Sequence, residues 1–331
     1  MQRPQLRQPS PGSVRSGLSC LILALAALLG GCGRPAPPDL PGAASEPAGA
    51  VRQLAGHLRS NDLAAFARDA LPPAEHARLA EAWRQDRSRW PLTELPLDDR
   101  LPAILGTLAA PGSEQRLRRE FDRQFAGQDA ALRDAARSLT LFGGQYLKQQ
   151  GDYSAEERSH YVQVVAALGT WAGQAPLGER KHAYAAIDRL AAAARATGLA
   201  SEDDLRQAGM EESLRRLGPF LAEAKAAVAS YGLDLDRSLA DLRTGLVEAS
   251  GDRAVVRIHY PLGATEIDTT VSLVRRDGHW YMSDYLDHAA LLLAVPAAPA
   301  MPFDLPVPPA ADPSGARPES PPQAAGPAPA R

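Results

Sequence analysis

The stretch Val271-Ser-Leu-Val-Arg-Arg-Asp-Gly-His-Trp-Tyr281 decides the fold, because apolar and polar side chains alternate along it on both sides of Asp277-Gly278. A period of two is typical of a half-buried strand, and Asp-Gly between two such runs favours a tight hairpin turn. The run Ala254-Val-Val-Arg-Ile-His-Tyr260 alternates in the same way. The two runs therefore predict neighbouring strands of one antiparallel sheet.

Three turns divide residues 243–286 into four strands, namely Gly251-Asp252, Pro261–Ala264 and Asp277-Gly278. The turns set the register of the strand pairs. On one apolar face the expected pairs are Val247 with Val256, Ala249 with Ala254, Ile258 with Ile267, Val256 with Thr269 and Leu273 with Met282, with Trp280 opposite Arg275 at the margin. On the other face they are Arg257 with Asp268, His259 with Glu266 and Ser272 with Ser283. A helix must cover the apolar face, and Glu211–Tyr231 is the nearest candidate.

The two quoted runs resemble the C-terminal half of cystatin-like or nuclear-transport-factor-like α+β domains, in which a strand ending in a charged residue, Asp-Gly-x-Trp-Tyr is typical. The resemblance covers about 75 residues. It implies a fold and no activity, since that fold carries enzymes, binding proteins and structural modules.

Residues 48–232 show helical spacing of apolar side chains and predict eight or nine helices without a regular repeat. Asn61 is the expected N-cap of a helix at Leu63–Ala70, and Ser154–Glu157 form a capping box. Gly143-Gly144 interrupts a helix at 130–149, as a kink, as a close helix crossing or, less expected, as a place where a ligand approaches the backbone. The fold class is therefore α+β, a predominantly helical body followed by a four-stranded antiparallel meander covered by a helix.

The N-terminus carries Arg3, Arg7 and Arg15, then an apolar run from Leu18 to Leu29 that is too short to span a bilayer. Leu29-Gly30-Gly31-Cys32 closes that run and resembles the lipobox of bacterial lipoproteins. The resemblance implies that a signal peptidase recognises Leu29, Gly30 and Gly31, and that Cys32 becomes the lipidated first residue. Gly33 follows where an Asp would retain enterobacterial relatives in the inner membrane, so we expect the outer membrane, facing the periplasm. The alternative is an ordinary signal peptide with a chance cysteine.

Five segments follow from these patterns. They are a signal peptide at 1–31, the lipidated cysteine with a Pro/Ala/Gly tether at 32–47, a helical domain at 48–210, a helix with the meander at 211–294, and a Pro/Ala tail at 295–331. The tail cannot bury a core, and we expect it to be disordered.

Composition excludes several functions. The net charge is −3, and removal of residues 1–31 would take away three arginines and no acid, so no basic excess supports a nucleic-acid partner. The two cysteines are Cys20 and Cys32. The first would leave with the signal peptide and the second would carry lipid, which excludes a disulfide within the chain, a cysteine nucleophile and a cysteine metal site.

The histidines stand in no metal-ligand spacing, and we expect neither a metal, a cofactor nor a catalytic residue. The densest polar cluster consists of Asp277, His279, Tyr281, Asp284, Tyr285, Asp287 and His288. We interpret it as the solvated end of an edge strand rather than as an acid–base or metal site, because His279 and Tyr281 would face away from Asp284. Trp83, Trp90 and Trp171 are expected to be core or loop anchors.

The expected function is a non-enzymatic, lipid-anchored envelope protein that binds or scaffolds an unknown protein partner. One alternative is a small-ligand carrier or enzyme that uses a pocket between helices and sheet, which should collect buried ionisable groups. A second alternative is an envelope chaperone or assembly factor, which should expose a large apolar groove.

Overall fold

A computed structural model of the protein describes residues 44–94, 100–149 and 153–294. The helices before the sheet are α1 (Pro47–Arg59), α2 (Leu63–Ala70), α3 (Pro73–Arg84), α4 (Leu101–Ala109), α5 (Ser113–Gln124), α6 (Asp129–Gln149), α7 (Ala155–Ala172), α8 (Arg180–Thr197), α9 (Glu202–Ala208), α10 (Met210–Ser230) and α11 (Leu235–Ala240), with a 3₁₀ turn at Leu92–Glu94. The strands are β1 (Arg243–Ser250), β2 (Arg253–Leu262), β3 (Thr265–Arg276) and β4 (His279–Met282), and α12 (Ser283–Ala294) follows them. The predicted α+β class is confirmed.

The helix ends show why these segments are helical. Ser154 and Glu157 form the predicted capping box at the start of α7, and Gly198 ends α8 in the left-handed conformation. The predicted N-cap of α2 was wrong by one residue. Asp62 is the cap, accepting a hydrogen bond from Ala65 N at 2.9 Å. Asn61 instead takes the left-handed conformation that lets the chain turn back from α1.

The sheet is the predicted antiparallel meander in the order β1-β2-β3-β4, but its register changes the expected partners in the β1–β2 and β2–β3 pairs. Leu246, not Val247, pairs with Val256, because a bulge at Val247 inserts one residue while Ala249 still pairs with Ala254. Ile258 pairs with Thr269 instead of Ile267, and Val256 pairs with Val271 instead of Thr269, because β2 continues to Leu262 and leaves only a two-residue turn. This shift of two residues keeps the side chains of β3 on their predicted faces.

The last strand pair is as predicted, with Leu273 opposite Met282 and Arg275 opposite Trp280. The predicted pair of Ser272 with Ser283 does not form, because α12 begins at Ser283. The polar pairs on the open face form diagonally. Arg257 Nε donates to Asp268 Oδ1 at 2.7 Å, and His259 Nε2 lies 2.7 Å from Glu266 Oε2.

The helix that covers this end of the apolar face is α1, and the candidate Glu211–Tyr231 was wrong. Ala50 and Val51 of α1 pack against Val256, Leu273 and Trp280 in one buried cluster. Most of the candidate segment forms α10, which packs mainly against α8 and α2. Sequence order suggested the wrong helix, because the two helices have similar apolar stripes and only the chain's return path brings α1 to the sheet.

The other end of the same face is covered by α7 and the turn after α10. Ala167, Leu233, Leu262 and Ile267 form a second buried cluster there. The open edge of β3 is also covered by α7. The side chain of Gln163 donates to Asp268 O at 2.9 Å and accepts from Asp268 N at 3.1 Å. An amide side chain thus replaces a neighbouring strand and blocks pairing at that edge.

The largest buried cluster joins α1, α2, α3, α8, α9, α10 and α12. Trp83 and Trp90 are fully buried in it, and Trp83 Nε1 donates to Leu205 O at 2.8 Å. Tyr281 extends from β4 into the same cluster. The meander therefore contributes to the helical core on one face while α1 and α7 cover the other.

The helix α6 runs without a break through Gly143 and Gly144, so the expected interruption is absent. Gly143 faces Val165 of α7 at ordinary van der Waals distance, and a Cβ at Gly144 would meet nothing within 4 Å. The close crossing of this hairpin is at Gly169, where a Cβ would clash with Thr140.

We expect Gly218→Ala to destabilise the protein although alanine is the better helix former. A Cβ at Gly218 of α10 would lie 2.5 Å from Asn61 O, a backbone atom that cannot rotate away. The free energy of unfolding, measured in urea, should fall by about 1–3 kcal/mol. In the matched variant Gly144→Ala, with open space around the new Cβ, it should rise by about 0.5–1 kcal/mol. Equal changes in the two variants would contradict this packing.

Candidate functional site

The predicted lipidation site lies outside the described residues, as do the signal-peptidase residues. Leu29, Gly30, Gly31 and Cys32 all precede Ala44, the first residue that the structure describes. No helix within the described ranges is both long and apolar enough to cross a membrane.

The polar cluster at the end of the meander is divided between a turn, the core and α12. His279 Nδ1 lies 3.0 Å from Asp277 O within the β3–β4 turn. Tyr281 is buried in the core, where burial raises the pKa of its hydroxyl. Asp284 lies in the first turn of α12 and does not continue the strand. The expectation that His279 and Tyr281 face away from Asp284 across a strand therefore does not apply. Burial, with Glu157 and Asp287 nearby, raises the pKa of the Asp284 carboxyl.

His288 of this cluster pairs with a residue far away in sequence. His288 Nδ1 lies 2.7 Å from Glu94 Oε1. Burial raises the pKa of the Glu94 carboxyl more than His288 lowers it. This pair ties α12 to the 3₁₀ turn at Leu92–Glu94, and its two side chains are each about a quarter to a third exposed.

Two further histidines join helices to neighbouring elements. His160 Nε2 of α7 lies 2.8 Å from the Tyr260 hydroxyl of β2. Burial lowers the pKa of His160 and raises that of Tyr260 to about 12, so both groups are neutral at pH 7. His57 Nε2 of α1 lies 2.8 Å from Oδ2 of Asp69, a buried carboxylate of α2.

Asp69 is buried, contacts several hydrogen-bond donors and does not line an open site. Its Oδ2 also accepts from Gln53 Nε2 at 2.8 Å, and its Oδ1 accepts from Arg68 Nε at 3.2 Å. Burial alone would raise the pKa of this carboxyl. The hydrogen bond from His57 and the charge of Arg68 together lower it by more, so the pKa of Asp69 is below its ordinary value. Within the part of the chain that the structure describes, no group of three or more His, Cys, Asp or Glu side chains could hold a metal ion.

A groove of about 970 Å³ opens where the C-terminal end of α7, the helix α11 and the β2–β3 turn meet. Trp171 and Tyr231 form its aromatic wall, and Trp171 Nε1 donates to Tyr231 O at 2.8 Å. Arg243 and Glu266 pair at 3.2 Å on its rim and are more than half exposed. The groove thus offers a wide, polar and solvent-open surface, while the helix–sheet interface beside it is filled.

The second surface that could bind is the outer half of α6, which we call the α6 patch: Leu139, Leu141, Phe142 and Tyr146. Their exposed fractions are 69%, 70%, 70% and 51%. The face of α6 that packs on α7 includes Leu132, Ala136, Thr140, Gly143 and Leu147. The patch adjoins that face, since Leu139 follows Leu132 by two helical turns. These apolar side chains are exposed on the described body, and exposed apolar side chains close together mark a contact surface.

The α6 patch was not predicted from the sequence, because residues 130–149 were interpreted only through the glycine pair at 143 and 144. The signal was present: residues 139, 142 and 146 repeat at helical spacing, while residues 132, 136, 140, 143 and 147 form a second stripe. Two stripes on one helix indicate two contact surfaces. The groove had no such signal, since its lining comes from three distant segments.

Comparison with protein-family models, with curated protein sequences and with solved structures finds no match to this chain. The likeness of the meander to cystatin-like and nuclear-transport-factor-like domains therefore stays an interpretation of the residues quoted for it.

Proposed function

We propose that this chain is a lipid-anchored, non-enzymatic protein that binds or scaffolds a protein partner on the periplasmic side of a bacterial outer membrane. The observation that carries the proposal is Leu29-Gly30-Gly31-Cys32 directly after a short apolar run with basic residues before it. One cysteine with two or three acyl chains would hold the body at the bilayer permanently, because each buried methylene contributes about 0.8 kcal/mol.

The described body supports a binding role over an enzymatic one. A ligand carrier or enzyme should gather buried ionisable groups in a deep pocket, but the groove is open and its rim charges are exposed. The more buried titratable side chains, such as Asp69, His160 and Glu94, are engaged in contacts between elements. A chaperone should present a large apolar groove, whereas the α6 patch is the convex side of a single helix.

The test is photocross-linking in intact cells of the source bacterium. A photoreactive residue is placed in turn at Tyr231 in the groove, at Val247 on the edge strand β1 and at Arg257 on the open sheet face. We expect a discrete adduct with one envelope protein from at least one position. The adduct should weaken strongly when Cys32→Ala frees the chain, because anchoring raises the local concentration of both proteins. No discrete adduct from all three positions would contradict a scaffolding role.

A second candidate, a small-ligand carrier, is favoured by the groove alone. Native mass spectrometry of the protein purified from its own envelope would then show a bound small molecule. The variant Trp171→Leu, which removes part of the aromatic wall, should lose that molecule, while Trp280→Leu in the α1–sheet cluster should retain it if the protein stays folded. Protein whose mass is that of the polypeptide with its covalent lipid, and no more, would exclude this candidate.

A further inference from the structure

The outer half of α6 needs an occupant, and the route of the chain indicates which one. Apolar side chains exposed together on one helix mark a contact surface. The four residues of the α6 patch fall within eight consecutive positions, and Phe142 stacks on Tyr146 with ring centroids 6.4 Å apart. The inner half already packs on α7, so the patch is free to meet something outside the described body.

The α6–α7 hairpin and the start of the body lie along the same edge of the sheet. Gln163 of α7 occupies the edge of β3 that faces away from β2. On the same side, Trp280 N of β4 donates to Ala44 O at 3.0 Å. Ala44 is the first described residue, so the chain that leads back to Cys32 leaves the body at this edge.

The distance from the anchor is short. Eleven residues, 33–43, separate Cys32 from Ala44. Even fully extended, they would span at most about 40 Å. If Cys32 carries lipid, the sheet edge at Ala44, which α7 covers further along, therefore stays within about 40 Å of the bilayer surface. The anchor thus holds the bilayer at a high local concentration relative to the patch.

We propose that the α6 patch lies on the surface of the bilayer to which Cys32 anchors the protein. This inference rests on the proposed lipid anchor. Leu139 and Phe142, three residues apart on one face, enter the boundary between headgroups and acyl chains, and Tyr146 places its hydroxyl at the headgroups, while Leu141 lies on the flank of that face. The contact is a second membrane signal beside the lipid, and it fixes which side of the body faces away from the membrane.

The charges on α6 suit such a contact without dominating it. Arg133, Arg137 and Lys148 lie at the two ends of the patch and can reach phosphate groups, while Asp129 and Asp134 offset most of their charge. The helix therefore carries only a small positive balance. Binding should depend mainly on the apolar side chains and only weakly on anionic lipid.

The first test uses residues 32–331 with Cys32→Ser, which carry no lipid, and vesicles of phosphatidylethanolamine and phosphatidylglycerol at three to one. We expect a measurable fraction of the protein to float when lipid is in large excess, because the patch alone binds reversibly. The variant Leu139→Ser/Phe142→Ser should bind at least about tenfold more weakly, since it loses two inserting side chains. The matched variant Val247→Ser/Leu291→Ser removes two side chains that are 57% and 68% exposed elsewhere and should bind like the parent.

The second test places a probe on the patch. The Cys32→Ser form of residues 32–331 has no cysteine, so Phe142→Cys and Leu291→Cys can each carry one environment-sensitive dye. We expect a blue shift with vesicles from position 142 only. The proposal would be overturned if the unlipidated chain does not float, or if Leu139→Ser/Phe142→Ser floats as well as the parent.

Other outcomes separate the remaining occupants. The parent could instead be a dimer in solution that does not bind vesicles, with Leu139→Ser/Phe142→Ser a monomer. In that case the occupant is a second copy of the chain and the membrane proposal fails. Both tests use unlipidated protein. Failure of the lipid anchor itself, tested by labelling of Cys32, is therefore recorded separately from failure of the α6 contact.

Discussion

Replacing Cys32 with alanine should abolish fatty-acid labelling of the protein and move it from the membrane fraction to the soluble fraction. The thiol is the only group to which the diacylglycerol thioether of a lipoprotein can attach. Without two or three acyl chains, the α6 patch alone would hold the chain only weakly, because a single modest apolar signal gives reversible binding. Metabolic labelling with a radioactive fatty acid, followed by fractionation of the envelope, measures both effects.

The control for this prediction is the other cysteine. Cys20 lies inside the apolar run and would be removed with the signal peptide. Cys20→Ala should therefore leave labelling and fractionation unchanged. Labelling that persists in Cys32→Ala would show that the lipobox interpretation is wrong and would withdraw the proposed location with it.

Asp69→Ala should lower the free energy of unfolding by about 2–4 kcal/mol at pH 7. The side chain of Asp69 is 3% exposed and accepts hydrogen bonds from Gln53, His57 and Arg68. Its removal leaves these donors facing a cavity between α1 and α2. The expected loss of stability is not larger than this, because His57 and Arg68 reach solvent and can be hydrated when Asp69 is removed. Urea unfolding followed by circular dichroism measures the change.

The same carboxylate should make stability depend on pH in a defined direction. The pKa of Asp69 is lowered in the folded protein. Its contribution is therefore complete above the ordinary pKa of an aspartate, near 4, and is lost as the pH falls through the lower folded value. The difference between wild type and Asp69→Ala should shrink below about pH 4. Asp134→Ala, which removes an exposed partner of Arg137, should change stability little at either pH. A difference that stays constant with pH would show that packing alone is responsible.

Much of the sheet could be predicted because its signals are local. Alternation assigned each side chain to a face, and Gly251-Asp252 and Asp277-Gly278 located two hairpins within one residue. The register error at Ile258 arose because Pro261 was taken to end the strand. Pro lacks a backbone N–H but still fits where no ladder hydrogen bond is needed from it, and β2 continues to Leu262.

The contact surfaces could not be located in the same way. Exposure depends on which neighbours arrive from elsewhere in the chain. The two stripes of α6 could both have been buried in a larger bundle. Only the packing of α7 on one side shows that Leu139 and Phe142 remain outside. The groove beside Trp171 and Tyr231 likewise exists because α11 and the β2–β3 turn meet there.

The sequence by itself determined the α+β class, the faces of most strand residues, the cap at Ser154 and the expectation of a lipid anchor at Cys32. Each follows from residues that are close together in the chain, where dihedral preferences and spacing act directly. Only the tertiary structure decided that α1 covers the sheet, that Gln163 blocks the edge of β3 and that the described residues leave the α6 patch uncovered. Those outcomes depend on burying apolar area between distant segments. That interaction has no direction, so many partners satisfy it equally until the whole chain packs.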